Sequence, residues 1–131
     1  MIIDKTRAQI INTQDVYLHD DILHFLHFDT ENKIITLDLQ NERTNYHINF
    51  ENVIGFSMSS CDFWGKSNHE YVLDFEFITP ENEMLIPKLR EKWNDIPNNS
   101  FEMCWGNFFE TLFTFSSGNT LLIACGRIEI I

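Results

Sequence analysis

Asp20, His24 and His27 come nearest to a reactive set by residue type and spacing. Were residues 16 to 28 helical, positions i, i+4 and i+7 would share one face, and a carboxylate beside two imidazoles is a donor set for zinc or a similar ion. On a strand, His24 and His27 point to opposite faces and the set dissolves. Apolar residues at 22, 23, 25, 26 and 28 fit both readings. A strand is favoured, because Asp29-Thr30-Glu31-Asn32-Lys33 then closes a hairpin into a further strand starting at Ile34. Histidines on a strand surface, or satisfied in a core, are the plainer account, and no metal or cofactor is expected.

Other reactive patterns are incomplete. Gly65-Lys66-Ser67 resembles the end of a phosphate loop, but the motif's first glycine would fall at Ser60. His69-Glu70-Tyr71-Val72 then leads into a strand, not into the helix whose amides would face a phosphate. Neither G-x-S-x-G nor H-E-x-x-H occurs. Cys61, Cys104 and Cys125 are an odd set without a C-x-x-C pair, which predicts free, mostly buried thiols. Asp20-Asp21 is unremarkable in a chain with 20 acids, and neighbouring strand positions face opposite ways. The chain is therefore expected not to be an enzyme.

Two places could serve recognition instead. Phe63 and Trp64 sit among Ser59, Ser60, Asp62, Gly65, Ser67 and Asn68, and Trp105 lies between Cys104 and Gly106. Exposed loop aromatics anchor a protein partner or a sugar ring, because they bury much area at low entropic cost. Alternatively these rings fold back and cap the open ends of a β-sandwich.

The elements that must position these residues are mostly strands. Ile35, Leu37 and Leu39 alternate with polar residues, and so do Tyr46, Ile48 and Phe50 after Gln40-Asn41-Glu42-Arg43. Tyr71, Leu73, Phe75 and Phe77 predict a strand with one buried face, and Val53 to Met58 a shorter one. A last hairpin runs from Phe108 to Phe115, turns at Ser116-Ser117-Gly118-Asn119 and returns through Leu122, Ala124, Ile128 and Ile130. Pro80 followed by Glu81 and Glu83 is a helix start, yet Pro87 falls inside the apolar pattern of Met84, Leu85, Leu89 and Trp93. At most one short or broken helix is expected, near residues 80 to 95. The first dozen residues are open. With no repeat, linker or composition break, residues 1 to 131 read as a single domain, a mainly β antiparallel sandwich or open barrel of about 7 to 8 strands built from hairpins.

His19-Asp20-Asp21-Ile22-Leu23-His24-Phe25-Leu26-His27-Phe28-Asp29, with the strand Ile34 to Leu39, resembles the opening hairpin of small bacterial all-β proteins grouped with polymorphic-toxin immunity proteins. The stretch from Phe113 to Ile130 is similar to the last two strands of the same group. The resemblance implies an all-β fold and an inhibitor's role, and brings no site residues with it.

Charge adds a direction. Nine Lys and Arg against 20 Asp and Glu leave −11, which excludes the basic clusters that phosphate backbones require, so no nucleic acid is expected as a partner. Hydrophobic content of 44% excludes a disordered acidic tail. Residues 8 to 32 hold Asp15, Asp20, Asp21, Asp29 and Glu31 without one base, and residues 67 to 87 hold Glu70, Asp74, Glu76, Glu81 and Glu83 likewise. If the two stretches lie side by side, their acidity becomes a face for a cationic protein such as a basic toxin domain; if apart, it serves solvation. The first face comprises Asp15, Asp20, Asp21, Asp29 and Glu31, with Phe63, Trp64 and Trp105 as aromatic anchors. A small-molecule or carbohydrate-binding domain built on those aromatics, and a homodimer through sheet edges, are the alternatives. Charges in Met1-Ile2-Ile3-Asp4-Lys5-Thr6-Arg7 and the lack of a long apolar run predict a cytoplasmic protein without a membrane segment.

Overall fold

The computed structural model describes residues 1–11, 16, 18–59, 70–96 and 104–131. Among them, nine strands form two antiparallel sheets. The first sheet has the order β1 (Ile2–Asp4), β9 (Arg127–Ile130), β4 (Asn45–Glu51), β3 (Ile34–Gln40) and β2 (Ile22–Asp29). The second has the order β5 (Gly55–Met58), β8 (Thr120–Cys125), β7 (Phe109–Phe115) and β6 (Val72–Ile78). The expected mainly β, hairpin-built architecture is present. Nine strands stand beside the expected 7 to 8: β1 lies in the open N-terminal stretch, and the last return strand is split in two at Gly126.

That split has a physical cause. The chain leaves β4 for the second sheet at Asn52, whose φ of 53° is left-handed, and returns from β8 to β9 at Gly126. The two crossings touch: Gly126 N–H donates to Glu51 O at 3.1 Å, and a Cβ on Gly126 would stand 3.3 Å from Asn52 Cβ. Glycine permits that approach.

Between the sheets lies the core. Ile35, Leu37, Leu39, Ile48, Phe50 and Ile128 from the first sheet meet Val72, Phe75, Phe113, Phe115, Leu121 and Ile123 from the second. β2 begins beside β6, one edge of the second sheet, and ends with Phe28 edge-on to Phe56 of β5, the other edge, at 4.9 Å. It therefore crosses the width of that sheet, as in steeply crossed sandwiches.

Helix α2 (Leu85–Asn94) covers the outer face of β5, β8 and β7. β8 is consequently buried on both faces, with Leu121, Ile123 and Cys125 inward and Leu122 and Ala124 beneath the helix. Leu89 of α2 fills the space where a side chain at Gly55 would be, 2.8 Å from that position. The interruption expected from Pro87 takes a definite form. A 3-10 turn at Pro80–Asn82 ends first, and α2 starts at Leu85, so Pro87 sits in the first turn, where its missing N–H costs no helical bond. A second helix, α1 (Lys5–Ile10), exceeds the expected one; the Asp4 carboxylate caps it by accepting from Arg7 N–H at 2.9 Å.

Two bulges change which residues face inward. In β6 the register shifts between Val72 and Asp74, so Val72, Phe75 and Phe77 point to the core while Tyr71 and Leu73 are exposed. The inward face expected from Tyr71, Leu73, Phe75 and Phe77 is corrected accordingly, because one extra residue inverts the alternation preceding it. In β2 the same happens at His24. The sheet edges are short, as in β1 and β5, or bulged, as in β2 and β6, which blunts edge-to-edge pairing.

Candidate functional site

The two base-free stretches meet. Asp20 N–H donates to Val72 O and Leu23 N–H to Glu70 O, both at 2.8 Å, and Val72 N–H donates to Asp21 O at 2.9 Å, around a bridge between Ile22 and Tyr71. This short ladder joins the start of β2 to the start of β6 and forms a seam between the two sheets. Asp20 turns the chain into it with a left-handed φ of 67°, a conformation that aspartate tolerates better than most residues.

Each side of the seam is tied by a hairpin turn. From the β3–β4 turn, Asn41 Nδ2 donates to Asp21 Oδ1 at 2.9 Å, while Asn41 Oδ1 accepts from the N–H groups of Arg43 and Thr44, both at 2.8 Å. From the β7–β8 turn, Ser117 Oγ donates to Glu70 Oε2 at 2.7 Å, and Ser116 exchanges bonds with the Tyr71 backbone. Gly118, with a φ of 87°, supplies that turn's left-handed residue. Asp21 and Glu70 are only 3% and 6% exposed, so they belong to the interior of the seam and not to its surface.

Burial pushes the Asp21 carboxyl up, the Asn41 hydrogen bond opposes this, and Asp20 adds to the rise. A carboxyl with a folded pKa above its unfolded value takes up its proton more readily in the folded chain, so the Asp21 contribution to stability grows as pH falls toward that value. Asp21→Asn removes the contribution. The stability of the wild type relative to this variant is expected to rise between about pH 7 and pH 4 in urea titrations, whereas a flat difference would mean an unshifted carboxylate.

Along the seam runs an open groove of about 780 Å³, lined by Asp20, Ile22, Asn41, Glu42, Arg43 and Tyr71 among others. Asp20 and Glu42 are exposed carboxylates and Arg43 the cation among these residues. His19 Nδ1 lies 3.0 Å from Asp20 Oδ2. An open, mixed but mainly acidic groove can hold a cationic side chain.

Of the sequence candidates, Asp20 lines this groove and Asp21 lies behind it. Asp29 and Glu31 lie at the other end of the eight-residue β2, roughly 20 to 25 Å away, so these carboxylates do not form one patch. Asp29 organises the β2–β3 turn, accepting from Glu31 and Asn32 N–H and from Asn32 Nδ2; the Asn32 side-chain and backbone bonds hold its carboxyl below the usual range. Trp105 is half-buried with the Arg90 guanidinium over its ring at 5.6 Å, which ties it to α2. Asp15, Phe63, Trp64 and Cys61 lie outside the described residues. His24 and His27 are on a strand, and no group of three metal-ligating side chains converges among the described residues. Cys104 is exposed and Cys125 is buried, with its thiol pushed up to about 12 by desolvation, which makes it unreactive.

In the sequence Glu42 reads only as a turn residue and Tyr71 only as a strand residue, and the burial of Glu70 has no local signal. Asn41 carried a readable signal, since an Asn in a short turn accepts from the N–H groups that follow it; its second bond, to Asp21, carried none. No helix among the described residues is long and apolar enough to cross a membrane. No protein-family model matches the chain, and no curated protein matches it.

Proposed function

We propose that this chain is a non-enzymatic binding protein of the cytoplasm that receives a cationic protein surface in the groove along the β2–β6 seam. The observation that carries this reading is the open groove beside the seam, where the exposed carboxylates of Asp20 and Glu42 outnumber the one cation, Arg43. Asp20 and Glu42 present the charge, and exposed Tyr71 offers a flat apolar face for an arginine or lysine stem. The acidity of the whole chain, −11, speeds the encounter with a positively charged partner. A toxin domain with a basic active cleft has the matching chemistry, and an immunity-type inhibitor is the role that follows.

The test is capture of a basic protein from the source cells by the immobilised chain at low and high salt. Binding is expected to weaken steeply with salt, and the combined change Asp20→Lys with Glu42→Lys to weaken it by about 100-fold, roughly tenfold for each rim charge reversed. Binding that ignores both salt and the reversals would refute the groove as the contact.

A further inference from the structure

The two sheets differ in what covers them. Helix α2 lies over the outer face of the second sheet, whereas Phe25, His27 and His47 are exposed on the outer face of the first. The strands of the first sheet alternate, with Leu37, Leu39 and Ile48 in the core and Thr36, Asp38, His47 and Asn49 outward. Register sets the outward residues in two rows across the sheet. Phe25 of the edge strand β2 stands beside Asp38 of β3 and His47 of β4, and His27 stands beside Thr36 and Asn49.

A bulge decides the first row. Leu23 pairs with Leu39, so in an unbroken ladder His24 would stand opposite Asp38; the extra residue puts Phe25 there instead. Phe25 is 48% exposed beside these polar neighbours. The rings of Phe25 and His27 are nearly parallel, at 15° with centroids 6.0 Å apart, and make an aromatic margin along the sheet edge. Inward of that margin the polar groups are tied in pairs. His47 Nδ1 is bonded to Asp38 Oδ1, and Thr36 Oγ1 donates to Asn49 Oδ1 at 3.0 Å. Each pair keeps capacity to spare: the carboxylate has a second oxygen, the imidazole a second nitrogen, and the Asn49 amide N–H groups that take no bond among the described residues.

We infer that this face binds a neutral saccharide, with the C–H face of one sugar ring on Phe25 and the hydroxyls of the next on Asp38, His47 and Asn49. A sugar ring carries an apolar C–H patch and a rim of hydroxyls that both donate and accept, which matches an aromatic ring set beside a carboxylate, an imidazole and an amide. Three strands span about 10 Å, the scale of a disaccharide. Other ligands fit less well. A protein interface is apolar at its centre and polar at its rim, and these rows are the reverse. Neither row holds a lysine or arginine for a phosphate backbone, and no three metal-ligating side chains converge among the described residues. The face uses no seam residue, so it stands independently of the groove.

Titration of the isotope-labelled protein with cellobiose, lactose, maltose and N,N′-diacetylchitobiose, followed by amide NMR shifts, tests it. At least one is expected to bind saturably and to move the amides of Phe25, Asp38, His47 and Asn49 while those of Asp20 and Tyr71 stay. The ligand is neutral, so added salt is expected to leave the affinity unchanged. Phe25→Ala removes an exposed ring and Asn49→Ala a surface amide; both are expected to keep the spectrum of the folded chain and to weaken binding by about tenfold each. Asp20→Lys with Glu42→Lys is expected to leave sugar binding unchanged. No saturable shift with any of the four disaccharides, shifts centred on the seam, binding that salt weakens, or unchanged affinity in either Phe25→Ala or Asn49→Ala would each overturn the inference.

Discussion

Glu110→Ala is expected to destabilise the protein by about 3 to 5 kcal/mol, because it strips the buried donors of α2 of a charged partner. Glu110 is fully buried in β7. Its Oε1 accepts from Met84 N–H at 3.1 Å and Leu85 N–H at 2.9 Å, and its Oε2 accepts from Leu85 N–H at 3.0 Å and Ile86 N–H at 2.9 Å. Pro87 follows with no N–H, so this one carboxylate meets the donors at the start of the helix up to the proline. It also lies where the helix dipole favours a negative charge. Glu110→Gln keeps one accepting oxygen but turns an amide N–H₂ toward backbone donors, and is expected to cost about half as much. Urea unfolding followed by circular dichroism measures both. Glu76→Ala, at an exposed position in β6, is the control and is expected to change stability by less than about 0.5 kcal/mol. A Glu110→Ala loss no larger than the control's would mean that α2 is held by its apolar face alone.

Phe113→Ala is expected to cost about 3 to 5 kcal/mol, at the upper end of core truncations. Phe113 is fully buried in β7 and touches both sheets. Its ring lies 6.0 Å from Phe50 of β4 at an edge-to-face angle of 80°, 4.6 Å from Phe75 of β6, and 6.1 Å from Phe115. Truncation therefore opens a cavity where the crossed sheets meet, and the surrounding rings are fixed by backbone ladders on both sides and cannot collapse into it. Phe113→Leu keeps most of the volume and is expected to lose about 1 to 2 kcal/mol. Equal losses for the two substitutions in urea titrations would mean that the site is not close-packed.

The hairpins were legible because their signals are local. Alternation in Ile35, Leu37 and Leu39 and in Tyr46, Ile48 and Phe50 matches their burial in β3 and β4, and Gly118 marks the β7–β8 turn as expected. The bulges at His24 and Leu73 were not legible, since an extra residue leaves the composition of a strand unchanged and reverses only its facing. Nor was the division of the last strand at Gly126, where a lone glycine marks a change of sheet. Glu110 had a signal, one acid inside Phe108-Phe109-Glu110-Thr111-Leu112-Phe113, but its partner lies in a helix well before it in the chain.

By itself the sequence determined that this chain folds as hairpins of alternating strands around an aromatic core, and that ten of its 20 carboxylates gather in two base-free stretches. Facing and turn chemistry depend on neighbours a few residues away, and those are written side by side. Only the tertiary structure decided which carboxylates belong to the surface and which to the interior. Asp21 is met by Asn41, 20 residues on; Glu70 by Ser117, 47 residues on; and Glu110 by Ile86, 24 residues back. A carboxylate can leave water only where distant segments bring donors to it, so the folding of the whole chain, and not the spacing of its acids, leaves Asp20 and Glu42 at the groove.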